Sequence, residues 1–192
     1  MTDDPIEIVA RAATILDRLG IPYVIGGSLA SAAYGSVRTT ADADLVIELR
    51  EDQIDSLARE LGAGFYVSPD AMRDAVRSRD SFNAISLDAP FKIDFFVLGG
   101  SRFDREEFRR RVSKEMGEDG RFRLMLKTPE DMILRKLSWF RAGGEVSERQ
   151  WDDVLNVLAV CHRDLDAAYL DRWAAELGVA DLLAKARAQC EG

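Results

Sequence analysis

The chain has 192 residues, of which 47% are hydrophobic, and a formal charge of −8; that suits one domain, or an α/β unit with a short helical annex, able to build a core without staples. The acidic balance argues against a long, non-specific grip on nucleic acid, which relies on many lysines and arginines set against phosphates. No apolar stretch approaches the roughly 18 to 20 residues of a membrane span, and Cys161, Cys190 and the single histidine His162 lack the spacing of a zinc site or a disulfide framework.

Taken in order, Ile8, Ala12, Ile15, Leu16 and Leu19 recur at helical spacing, and Gly20 and Pro22 end that helix before a short strand, Tyr23-Val24-Ile25. The opening MTDDPIEIVARA is acidic rather than a basic leader, so the expectation is an unprocessed cytoplasmic chain. The strand stops at Gly26-Gly27-Ser28, and LASAAYG reads as a short helix closed by Gly35. Ala43 to Leu49 reads as a strand and Glu51 to Leu61 as a helix, followed by an edge strand at Tyr66-Val67 and a helix from Pro69 to Arg77. Phe82 to Leu87 and Phe91 to Leu98 read as an antiparallel hairpin joined by Asp88-Ala89-Pro90. A helix near Phe103 to Arg111 and a strand at Arg121 to Leu126 complete the α/β part. Arg105, Arg109, Arg110 and Arg111, interleaved with Glu106 and Glu107, read as a solvated helix face.

After Lys127 only helices are expected. Thr128-Pro129-Glu130-Asp131 supplies a cap, a proline at the first helical position and acidic residues in the first turn. Gly143-Gly144 breaks that helix, Ser147-Glu148-Arg149-Gln150 opens another as a capping box, and two more follow. The expected division is therefore an α/β domain over residues 1–127 and a helical region over 128–192 packed on it. Trp139, Phe140 and Trp151 read as packing between helices.

The chemistry is carried by Gly27-Ser28, thirteen intervening residues, Asp42-Ala43-Asp44-Leu45, and a third acid in Lys92-Ile93-Asp94-Phe95. Side chains two apart on a strand share a face, so Asp42 and Asp44 project together and repel unless a positive charge lies between them. Oxygen-only ligands favour a hard cation, Mg²⁺ or Mn²⁺. Asp94 sits in an apolar run where an unpaired carboxylate would carry a large desolvation penalty, so it needs a partner. If its strand lies beside that of Asp42 and Asp44, it can join them around the metal. Gly26-Gly27-Ser28 is either a plain structural turn with Ser28 as helix cap or a phosphate cradle in which glycines let backbone approach an anion.

This pattern of Gly-Ser, spacer, Asp-x-Asp and later strand Asp resembles that of DNA polymerase β-like nucleotidyltransferases, a family that includes aminoglycoside nucleotidyltransferases, tRNA-tailing enzymes and nucleotidyltransferase-type toxins. The likeness covers Tyr23 to Leu49 and Phe82 to Leu98. It implies a mixed sheet flanked by helices, two Mg²⁺ ions bound by Asp42, Asp44 and Asp94, and nucleotide phosphates held by Gly27 and Ser28. Arg38-Thr39-Thr40, with Lys136 and Asp153, looks more narrowly like the bacterial branch containing type IV abortive-infection toxins. That likeness implies triphosphate-binding roles for Arg38 and Lys136; from the residues alone, both cations could instead be surface charges, and Asp153 could orient Lys136 or merely form a helix-surface pair. The expected activity is transfer of a nucleoside monophosphate from an NTP to a hydroxyl of RNA, protein or a small molecule, and in the toxin case a partner antitoxin. The alternative is a non-catalytic nucleotide- or partner-binding protein of the same fold.

Overall fold

Short extended segments pair into one mixed sheet. In the computed structural model, which describes residues 4–35 and 40–191, the strands are β1 (Tyr23–Ile25), β2 (Asp42–Ile47), β3 (Phe65–Tyr66), β4 (Ser81–Ser86), β5 (Lys92–Val97), β6 (Val112–Met116) and β7 (Phe122–Leu126). Their order across the sheet is β3-β4-β5-β2-β1-β7-β6. β2 runs antiparallel to β1 and parallel to β5, while β7 runs parallel to β1. Interleaved with these strands are α1 (Pro5–Arg18), α2 (Gly27–Ala33), α3 (Ile54–Leu61), α4 (Pro69–Ser78) and α5 (Arg102–Arg109). After β7 come α6 (Pro129–Ala142), α7 (Glu148–Cys161), α8 (Ala167–Glu176) and α9 (Ala180–Glu191). The expected α/β class, with a helical C-terminal part, is therefore the observed one.

Local chemistry explains the helix starts. Asp4, Ser68 and Thr128 each accept a backbone N–H at the helix N-terminus and are each followed by proline at the first position, where its missing N–H costs nothing. A cap of this kind contributes about 1 kcal/mol.

The described residues fall into two compact units, one drawn from Met1–Leu29 and Thr39–Lys127, the other from Ala30–Arg38 and Thr128–Gly192. Among the described residues the second takes in 30–35, which a linear division at Lys127 assigns to the first. In the sheet unit, Ala43, Leu45 and Ile47 of β2, Ile93 and Phe95 of β5, and Phe82 and Ala84 of β4 are buried. Phe82 and Phe95 stack with ring centroids 5.1 Å apart, and α1 and α4 pack against these strands. Each such large apolar side chain contributes roughly 1.5 to 3 kcal/mol through burial. In the helical unit, Ile133, Leu134, Leu137, Val154, Val157, Leu170 and Leu183 form the core.

Three expectations change. β6 was not foreseen, because Val112–Met116 is mostly exposed and lacks apolar alternation; it forms as an edge strand on β7, pairing Lys114 with Leu124. The solvated face assigned to α5 holds for Arg109, which bonds Glu106, but not for Glu107, which is buried. Trp151 packs on Phe140 with centroids 5.2 Å apart, whereas Trp139, expected to pack between helices, is 42% exposed.

Candidate active site

β2 begins one residue earlier than expected, which puts both acids of the Asp-x-Asp inside the strand. Asp42, Asp44 and Val46 are half-buried on one face, and Ala43, Leu45 and Ile47 are buried on the other. The parallel ladder with β5 pairs Asp42 with Lys92 and Asp44 with Asp94. Residues paired side by side project to the same face, so the three carboxylates and Lys92 share the open face of adjacent strands.

Asp94 does have a partner, and it is Lys92, whose Nζ lies 2.7 Å from Oδ2. The Asp94 side chain is 21% exposed, because the apolar Ile93 and Phe95 point to the opposite face. The hydrogen bond to Asp94 raises the Lys92 ammonium above its ordinary range; partial burial opposes this, while the charges of Asp94, Asp42 and Asp44 add to it. Thr40 donates its hydroxyl to Asp42 Oδ1 at 2.6 Å.

The turn after β1 is fitted to these acids. The Gly26 N–H donates to the Asp44 carbonyl at 2.8 Å. Gly27 adopts φ +58, and a Cβ placed there would overlap the Asp44 carboxylate, lying 2.7 Å from its Cγ. Glycine is therefore required twice over, for its backbone angle and for the close approach. Ser28 follows half-buried in the first turn of α2. Next to the turn, a Cβ on Gly26 would sit 3.3 Å from Lys127 Cε, and Lys127 Nζ bonds Glu107 Oε1 at 2.9 Å with both side chains 4% exposed. A buried pair thus lies directly against the Gly-Gly turn.

Of the remaining expected site residues, Arg38 lies outside the described residues. Lys136 belongs to the helical unit, where its Nζ is 2.7 Å from Asp153 Oδ2 and both side chains are buried. That excludes the surface-charge alternative for Lys136 and makes Asp153 its immediate partner.

The donor set has the chemistry a hard divalent cation prefers: carboxylate oxygens from neighbouring strands on one face. Among the described residues, however, no group of three or more His, Cys, Asp or Glu side chains is gathered so as to hold a metal ion as posed. Asp94 is turned to Lys92 and Asp42 to Thr40. The residues fit the ion in kind and in face, and Lys92 holds one of the oxygens, Asp94 Oδ2, that such an ion would use. Sequence reasoning assigned no role to Lys92 or to the Lys127–Glu107 pair. Lys92 was findable, since a residue two before Asp94 on a strand shares its face.

No family model and no curated protein matches the sequence. Solved structures do match in fold. An antigenic nucleotidyltransferase-like protein from Paracoccidioides brasiliensis is 17% identical over 94% of this chain and 90% of its own, with a TM-score of 0.57. ANT(2'')-Ia, solved with adenylyl-2''-tobramycin, is 16% identical over 90% of this chain and 95% of its own, with a TM-score of 0.56. The lincosamide antibiotic adenylyltransferase LnuA, lincomycin-bound, is 8% identical over 83% of this chain and 99% of its own, with a TM-score of 0.52. The chain has the nucleotidyltransferase fold. Among the described residues no helix is long and apolar enough to cross a membrane.

Proposed function

We propose that the protein is a metal-dependent nucleotidyltransferase that moves a nucleoside monophosphate from an NTP to an acceptor hydroxyl. The observation that carries this reading is the β2–β5 register, which sets Asp94 beside Asp44 on the face that also bears Asp42. Asp42, Asp44 and Asp94 would hold Mg²⁺ or Mn²⁺, and such an ion supplies charge neutralisation at the transferring phosphate. Gly27 and Ser28 would accommodate the nucleotide phosphates, with Arg38 and Lys136 as further nucleotide-binding candidates. Asp94 would take the proton of the acceptor hydroxyl as its oxygen bonds the α-phosphorus; the bond from that phosphorus to the β-phosphate oxygen breaks and pyrophosphate leaves.

The acceptor is a hydroxyl of a small molecule such as an antibiotic, of an RNA end such as tRNA, or of a protein. The toxin form of the proposal adds an antitoxin partner and growth arrest on expression; the antibiotic-modifying form yields resistance instead. Pyrophosphate release from each NTP with Mg²⁺, across a panel of these acceptors, tests the reading. Wild type should turn over with at least one acceptor, and Asp44→Asn should lose at least about a thousandfold while keeping its fold. Undiminished turnover by Asp44→Asn would remove the assignment.

The rival reading, a non-catalytic nucleotide- or partner-binding protein, draws on the Lys92–Asp94 pair, which neutralises the third acid without a metal. It requires that no acceptor yields pyrophosphate release, whether or not an NTP binds.

A further inference from the structure

We propose that Lys92 is the resident counter-ion of the acid cluster and gives up Asp94 when a divalent cation binds, so that it sets the metal affinity of the free protein. This rests on the metal-site reading above. The register places Lys92 directly beside Asp42 and two residues before Asp94, on the same face as all three acids. Its ammonium is already 2.7 Å from Asp94 Oδ2. Three like charges on adjacent strands need such a neutraliser whenever no metal is bound.

The pair is also built to exchange. The Lys92 side chain is 43% exposed, so its flexible stem has solvent to swing into, and ion pairs this open hold weakly. At equal distance a dication attracts a carboxylate twice as strongly as an ammonium does, and it repels the ammonium. Ion and lysine compete for Asp94 Oδ2, the oxygen that the ammonium now holds. The pair that neutralises the cluster thus holds one of the oxygens that the ion would take.

The test measures Mn²⁺ affinity without nucleotide, for wild type, Lys92→Gln, Lys92→Arg and Asp44→Asn. It is joined to amine-reagent labelling of Lys92 in wild type with and without Mg²⁺. Lys92→Gln should bind Mn²⁺ roughly five- to tenfold more tightly than wild type, Lys92→Arg should match wild type, and Asp44→Asn should lose binding. Mg²⁺ should speed Lys92 labelling, because the ammonium is freed from Asp94. Equal or weaker binding by Lys92→Gln, with loss in Asp44→Asn, would overturn the role of Lys92 and leave the metal site standing. Slower or unchanged labelling on adding Mg²⁺ would likewise overturn displacement. Absence of Mn²⁺ binding in every protein, Lys92→Gln included, would overturn both readings.

Discussion

Gly27 answers two demands that no other residue meets: its φ is +58, and its Cα lies where a Cβ would overlap the Asp44 carboxylate. Gly27→Ala should therefore cost about 1 to 3 kcal/mol in denaturant unfolding and, by displacing Asp44, weaken Mn²⁺ binding as well. A stability loss without a metal effect would show that the turn is structural only. Tyr23 offers a pH-dependent check on β1, the strand that leads into this turn. It is 2% exposed, and burial, aided by the charge of Asp17, pushes its phenol up to about 12. Because the folded value is raised, the stabilisation from keeping the phenol neutral is complete below about pH 10 and is lost as pH rises towards 12, on the order of 2 kcal/mol. Tyr23→Phe should flatten the fall in urea-unfolding stability across that window. The acids were legible in the sequence because Asp42, Asp44 and Asp94 interrupt apolar runs where charge needs a reason. Their setting was not: the apolar flanks of Asp94 suggested burial, whereas period-two alternation sends Ile93 and Phe95 to the opposite face.

Where β7 ends, Lys127 reaches Glu107 of α5 and packs along Gly26, so one buried pair ties strand, helix and turn together. Glu107→Ala removes the Glu107 carboxylate from a buried ammonium and should cost about 3 to 5 kcal/mol, whereas replacing both by apolar residues of similar size should be close to neutral. Equilibrium unfolding of the single and double variants measures this; a cost below about 1 kcal/mol for Glu107→Ala would show that the pair is not structural. Helix starts and central strands were readable because caps, prolines and alternation are local signals. β6 and the Lys127–Glu107 pair were not, since an exposed edge strand is made by its neighbour and a cross-element ion pair joins residues 20 apart in sequence.

Across the whole molecule, the strands that carry the acids, β5 and β2, stand inside the sheet, with β3 and β6 at its edges. Paired on both sides, they hold the spacing of the carboxylates more firmly than edge strands could. The formal charge of −8 and the acid cluster together oppose a polyanionic nucleotide, so NTP binding should depend on a divalent cation and collapse on chelation. The α/β class followed from element order alone, while the sheet order, which joins β2 to β5 across two intervening strands, is a long-range pairing that local patterns do not encode. The most direct measurement is calorimetric titration of each of the four NTPs, with and without Mg²⁺, into wild type and Asp42→Ala/Asp44→Ala. Mg²⁺-dependent binding of at least one NTP, lost in the folded double variant, is the expected result. Binding of no NTP, or equal binding by the double variant, would contradict a nucleotidyltransferase site on this face.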